Sequence, residues 1–346
     1  MWDRVSQDLV VGGSLKKGFD IINVPIKPPF VDRGCLTDAS CVAILTVVEA
    51  PVGILESKND RFMADVVSQL YGLHGIMAQF VSLGEERIPF EREYRVVVDR
   101  LSFRYPFLGE IMKNLALGGT YVINNPFAAL AANKMLDIKL GSQIGINFPK
   151  TIVLPDRTAV TETEGLVAEP HLSRVGDELG FPCIVKPFNG YAWEDVHVIG
   201  SIEELQNLYN VLAPRHILLA QQLIKFKDYY RVFCFDKKDV LFIKWIPKPF
   251  AMGQYLYSDP DSIGDDKKSL TDLTIRFNQA LDFDVNVIEW CVDDEGRWWV
   301  IDAFNEVPDV TKEALPPEYY SWIVDRIVAC IKDKLDSRKK NRTSFG

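Results

Sequence analysis

Between residues 150 and 244 six short runs rich in β-branched and aromatic residues (150–154, 183–187, 196–199, 217–221, 230–235 and 240–244) are interrupted by only two helical stretches, near 169–179 and 202–212. Strands that follow one another so closely pair through short connections, so this part of the chain predicts an α+β layer built on antiparallel sheet. Two more strand-like runs, 285–292 and 298–303, flank Asp293-Asp294-Glu295-Gly296, a turn sequence that folds them into a hairpin. A helix over 270–281 precedes this hairpin and one over 317–335 follows it, whereas 255–268, with Asp259-Pro260-Asp261 and Asp265-Asp266, has the chemistry of a loop.

The N-terminal third has a different texture. A strand-like run at 40–48, an amphipathic helix at 60–73 and a strand at 95–99 alternate in the manner of parallel βαβ units. Next come a helix over 102–118 closed by Gly118-Gly119, a short strand over 120–123, and Asn124-Asn125-Pro126, a turn that caps a helix over 127–141. The 346 residues suffice for two or three packed units. The expected architecture is α/β plus α+β: a parallel α/β domain over 1–120, α+β subdomains over 121–224 and 225–335, and a basic tail over 336–346 that frays into solvent.

Composition narrows the class of function. Lys and Arg number 39 against 48 Asp and Glu, a net charge of −9, and no basic block interrupts the first 330 residues, so nucleic acid is not an expected partner. No apolar run nears the roughly 20 residues of a membrane helix, and the first residues do not read as a signal peptide; no membrane partner and a cytoplasmic location are expected. The six cysteines form no Cys-x-x-Cys pair, and Cys183, Cys234 and Cys291 sit in apolar runs as reduced core thiols. His74, His171, His197 and His216 lack metal spacing, which argues against a zinc site and against histidine chemistry.

Neither a Gly-x-Gly-x-x-Gly turn nor a Gly-Lys-Ser/Thr loop is present, so any nucleotide is held another way. Lys134 follows the Asn124-Asn125-Pro126 turn, and Lys186 ends the apolar run Phe181-Pro182-Cys183-Ile184-Val185-Lys186-Pro187, where an ammonium is awkward to hide without an anion. The run 218–224 leads out to Asp228 and then Arg231; an extended linker of this kind offers backbone N–H and C=O to an adenine edge, and Asp228 can accept ribose hydroxyls. In the hairpin, Glu289 faces Asp302 and Asn305, two carboxylates and an amide oxygen within reach of one hard cation such as Mg2+. Each feature alone also fits a solvated surface.

In this order and spacing the features resemble the ATP-grasp superfamily, which holds ATP between two α+β subdomains. The stretches Val98-Asp99-Arg100-Leu101-Ser102, Tyr121-Val122-Ile123-Asn124-Asn125-Pro126-Phe127, Lys186-Pro187 with Gly190-Tyr191-Ala192-Trp193, and Ile301-Asp302-Ala303-Phe304-Asn305-Glu306-Val307-Pro308-Asp309 are similar to the glutathione-synthetase and glutamate-ligase branch. The resemblance implies that Lys134 and Lys186 contact the α/β-phosphates, that Gln221, Gln222, Leu223 and Ile224 form the adenine hinge, and that Asp228 meets the ribose. It further implies that Arg231 and Lys244 face the γ-phosphate or an acyl-phosphate, and that Glu289, Asp302 and Asn305 bind one or two Mg2+, with Mn2+ able to substitute. Asp99, Arg100 and Ser102, at a strand end, are candidates for substrate binding or for turn capping and salt bridging. Two departures stand out: the phosphate loop over 189–195 has one glycine and two aromatics, and the usual Glu-x-Asn appears as Asp302-x-x-Asn305. The implied activity is an ATP- and Mg2+-dependent ligase that activates a small-molecule carboxylate as acyl-phosphate for attack by an amine or thiol. A small-molecule kinase and a non-catalytic nucleotide-binding regulator remain alternatives, and a homodimer is compatible with each.

Overall fold

The computed structural model describes residues 51–84, 94–190, 193–247, 254–258 and 262–337. The strand expected at 40–48 and the tail beyond 337 lie outside the described residues, as do Cys35 and Cys41.

A parallel sheet comes first. Strand β1 (Val52–Leu55) is followed by α1 (Arg61–His74), β2 (Ala78–Phe80), β3 (Val96–Asp99), α2 (Pro106–Leu117) and β4 (Tyr121–Ile123), and the strands lie in the order β2-β1-β3-β4. Helix α1 begins where Asp60 accepts the Met63 N–H at 2.6 Å and ends at Gly75, whose φ of 63° suits the left-handed closing turn. Its Phe62, Met63, Val66 and Leu70 stripe is buried. Strands β1 and β2, no shorter than β3 and β4, were not expected from the sequence; their strand state depends on pairing with partners distant in the chain. Tyr121–Ile123, expected to open the second segment, completes this sheet, so the first layer runs to residue 123.

The single helix expected over 127–141 is two, α3 (Pro126–Ala131) and α4 (Lys134–Gln143). Asn133 makes the break: its backbone is extended and its side chain accepts the Met135 and Leu136 N–H groups, so a second helix starts afresh at Lys134.

The middle layer contains β5 (Thr151–Leu154), α5 (Arg157–Glu162), α6 (Ser173–Leu179), β6 (Cys183–Pro187), β7 (His197–Ile199), α7 (Ile202–Leu212) and β8 (Leu218–Gln222). Its antiparallel sheet has the order β5-β8-β6-β7 and a core of its own around Val175, Cys183, Leu205, Tyr209 and Leu218. The third layer contains β9 (Asp228–Phe235), β10 (Asp239–Ile246), β11 (Gln254–Leu256), α8 (Asp266–Leu281), β12 (Val285–Val292), β13 (Trp298–Asp302) and α9 (Pro317–Asp336), with the antiparallel order β11-β10-β9-β12-β13. Both β11 and the start of α8 fall in the stretch read as loop.

Phe233 and Val287 on one face of the third sheet share a core with α9 and with Val52, Ile54 and Val98 of the first layer. The opposite face, with Tyr230, Ile288 and Trp290, packs on Phe277 of α8 and takes in Leu140 and Phe148. Helix α4 therefore packs with the third layer, although the sequence placed it in the 121–224 segment. Cys183, Cys234, Cys291 and Cys330 are buried free thiols, and among the described residues no helix is long and apolar enough to cross a membrane.

Candidate active site

The β12–β13 hairpin pairs as expected, with Glu289 directly opposite Asp302. Glu289 is 8% exposed; its Oε1 lies 3.2 Å from Arg231 Nε, and its Oε2 accepts the Tyr229 hydroxyl at 2.5 Å. Burial raises the Glu289 carboxyl above its ordinary range, Arg231 opposes this, and Asp302 adds to it. Arg231 is itself clamped. Its guanidinium donates to the Tyr255 hydroxyl at 2.7 Å and lies against the rings of Trp245 and Tyr255, 5.0 and 5.7 Å from their centroids. Asn305 donates its backbone N–H to Asn286 Oδ1 at 2.9 Å and its side-chain NH2 to the Val287 carbonyl at 3.3 Å, which fixes its amide beside the hairpin.

Two lysines reach this hairpin from the other elements. Lys134, the first residue of α4, donates its backbone N–H to the Phe188 carbonyl at 3.2 Å; its Nζ donates to the Gly190 carbonyl at 2.9 Å and lies 3.2 Å from Asp302 Oδ2. Lys186, at the end of β6 and 7% exposed, donates to the Ile301 carbonyl at 3.2 Å. Burial pushes the Lys186 ammonium down to about 8 even though Asp302 pulls the other way. Lys134 moves in the opposite direction: burial disfavours its charge, but Asp302, with Asp137 and Glu289, outweighs this and raises it.

The remaining predicted nucleotide residues divide. Gln221 is buried and donates Nε2 to Thr151 Oγ1 at 3.0 Å, and Gln222 donates its N–H to the Lys150 carbonyl at 2.9 Å, so the side chain of the first and the backbone N–H of the second serve the sheet. Leu223 and Ile224 follow the end of β8. Side chains alternate along a strand, so Arg231, paired with Ile243 and Glu289, points to one face of the third sheet. Asp228 and Lys244, paired with Val292 and Tyr230, point to the other face, where they form an ion pair with each other. This corrects the expectation that Lys244 joins Arg231 at one phosphate.

The substrate candidates at the end of β3 also have local duties. Asp99 accepts the Leu101 N–H at 3.1 Å, the Ser102 N–H at 3.0 Å and the Ser102 hydroxyl. Arg100 donates to Glu56 Oε2 at 3.2 Å and to the Pro308 carbonyl at 3.3 Å. Asp99 and Arg100 nevertheless line a hollow between the first layer, β9 and α9.

Two carboxyls of the cluster were not singled out from sequence. Asp137 is 2% exposed, and neither of its carboxylate oxygens has a hydrogen-bond partner; burial, then Asp302, push it well above the usual carboxylate range. Its signal was available, since Asp137 stands one helical turn after Lys134 and on the same face. Glu306, beside Asn305, is pushed up to about 7 by burial, with Asp99 and Asp302 adding to the effect.

This donor set fits Mg2+. Among the described residues no three His, Cys, Asp or Glu side chains converge on one point, so the chain offers the cross-strand pair Glu289 and Asp302 with Asn305, and leaves other positions of an octahedron to phosphate and water. Asp137, buried beside that pair with neither carboxylate oxygen partnered, is a polar group that a bound cation would satisfy.

No protein-family model and no curated protein matches the sequence. Solved structures do. D-alanine–D-alanine ligase from Bacillus anthracis, complexed with ATP, is 18% identical at a TM-score of 0.61 over 83% of this chain and 98% of its own. A RimK domain ATP-grasp protein from Sphaerobacter thermophilus is 16% identical at a TM-score of 0.59, covering 82% and 98%. The ATP-grasp ligase PsnB, complexed with a minimal precursor, Mg and ADP, is 15% identical at a TM-score of 0.56, covering 83% and 98%. The chain has the ATP-grasp fold.

Proposed function

We propose that this protein is an ATP- and Mg2+-dependent ligase that activates a small-molecule carboxylate as acyl-phosphate for attack by an amine or thiol, releasing ADP and phosphate. One observation carries the reading: Lys134, Lys186 and Arg231, from three different elements, converge on the cross-strand pair Glu289 and Asp302. Three cations gathered at buried carboxylates form a site for a polyanion, and they supply charge where a phosphoryl group in transfer develops it.

Lys134 and Lys186 would bind the α/β-phosphates, and the stretch Gln221 to Ile224 would border adenine. Glu289, Asp302 and Asn305 would hold Mg2+, or Mn2+ in its place, and a metal bound there neutralises charge on the transferred phosphoryl group. Arg231, held against the rings of Trp245 and Tyr255 and beside Glu289, would face the γ-phosphate or the acyl-phosphate, its guanidinium placed before charge develops there, so little reorganisation is needed. Positioning of this kind supplies roughly 7–11 kcal/mol of a bimolecular barrier.

The test is phosphate release from ATP and Mg2+ with pooled carboxylates and amines, assayed pool by pool. A ligase releases phosphate only with pools that contain both partners. Equal release from every pool contradicts the reading, and ADP formation without phosphate points to a kinase.

A further inference from the structure

Asp137 lies one turn after Lys134 on α4, on the same face of the helix, and is 2% exposed. Among the described residues neither of its carboxylate oxygens has a hydrogen-bond partner. An acidic residue in a first helical turn is favourable when solvated, but buried and unpaired it costs more than the helix returns. The helix does not need it as a cap either, since Asn133 already holds the Met135 and Leu136 N–H groups.

Its surroundings are charged. Lys134 and Lys186 act on Asp137 as cations, Asp302 and Glu306 as anions, and Asp137 in turn favours the charged form of both lysines. The close ion pair of Lys134 is made elsewhere: its Nζ lies 3.2 Å from Asp302 Oδ2 and donates to the Gly190 carbonyl at 2.9 Å. Asp302 stands opposite Glu289 in the hairpin and is one of the oxygen donors suited to the divalent cation. A carboxylate whose oxygens turn to a dication loses much of its hold on an ammonium, and two cations brought close repel each other. Lys134 then needs another anion on its own side of the cleft, and Asp137 stands one turn along the same helix with both oxygens unused.

We propose that Asp137 is a positioning residue for Lys134: it accepts the Lys134 ammonium once Asp302 is engaged by the divalent cation, and so keeps Lys134 at the phosphates while metal and nucleotide are bound together. The inference rests on the ligase reading and adds to its cleft a carboxylate that touches neither metal nor nucleotide. It also gives a use to a buried group that makes no side-chain hydrogen bond in the free protein.

Calorimetric titration of ATP into the parent, Asp137→Asn, Lys134→Met and the double variant, each with Mg2+ and with EDTA, tests this alongside thermal melts of the ligand-free proteins. Asp137→Asn is expected to melt at or above the parent's temperature, to bind ATP–Mg2+ at least fivefold more weakly, to match the parent in EDTA, and to add no further loss to Lys134→Met. Undiminished ATP–Mg2+ affinity, an equal loss in EDTA, or a lowered melting temperature that accompanies the loss overturns the assignment. So does an additive loss in the double variant, the mark of a carboxylate that acts on the metal directly. Absence of ATP binding by the parent with Mg2+ overturns the ligase reading and this assignment with it, whereas each of the preceding outcomes leaves that reading standing.

Discussion

Lys186 carries an ammonium into a place where burial outweighs its nearest carboxylate, and the result is a group that titrates near 8. Phosphates favour the charged form. Below that pH Lys186 is already protonated when nucleotide arrives; at pH 8–9 the free protein holds it partly neutral, so binding must draw a proton from solution. Calorimetric titration with ATP and Mg2+ in buffers of different ionisation enthalpy should therefore show proton uptake at pH 8.5 and none at pH 6 from this group, and the Lys186→Met variant should lose the uptake. The same enthalpy in every buffer at pH 8.5 would refute the assignment. At this scale the sequence was informative wherever a charge ended an apolar run, as at Lys186, or faced another across a turn, as at Glu289 and Asp302. It was silent on Tyr229 and Tyr255, which hold Glu289 and Arg231 but read as ordinary aromatic strand residues. Lys244 failed for a physical reason: spacing along the chain does not fix the face of a strand, and the register puts Lys244 opposite Arg231's side of the sheet.

Helix α4 is the element that delivers Lys134, and its start depends on one side chain. Asn133 accepts two N–H groups of the first turn, so Asn133→Ala should cost about 1 kcal/mol of stability. It should also weaken ATP binding, because Lys134 follows it directly; Asn133→Asp should restore both, as thermal melts and calorimetry would show. Full-strength ATP binding by a destabilised Asn133→Ala would separate the cap from the site. Later in the same helix, a Cβ added at Gly141 would meet the Phe148 ring at 2.4 Å. Gly141→Ala should therefore destabilise by about 1–3 kcal/mol through overpacking between α4 and the third layer. A melting temperature equal to the parent's would contradict this packing. Long amphipathic helices and strands of five or more residues were legible from sequence. The short parallel strands β1 and β2 and the break at Asn133 were not, because the first depend on neighbours distant in the chain and the second on a local hydrogen bond that competes with the helix.

Across the whole molecule, the net charge of −9 coexists with a cleft that gathers Lys134, Lys186 and Arg231, so the global count says nothing of the local field. The layers are also tied by charge. Asp284, fully buried, receives Tyr121 of the first sheet at 2.7 Å and Lys237 at 2.7 Å, and lies 3.3 Å from Lys334 of α9. Asp284→Ala leaves two partly buried ammonium groups short of a partner and should cost about 3–5 kcal/mol in urea unfolding, whereas a loss below 1 kcal/mol would mean that the apolar core alone holds the layers. That core, which unites α1, α9 and the faces of two sheets, follows from strand order, and strand order is what a single sequence leaves open. The central claim concerns the cleft that these layers form, and calorimetric titration of ATP with Mg2+ into the parent, Lys186→Ala and Asp302→Ala tests it most directly. One Mg2+-dependent site in the parent, weakened at least tenfold in each variant with the fold intact, is the predicted result; no binding by the parent, or undiminished binding by both variants, would contradict it.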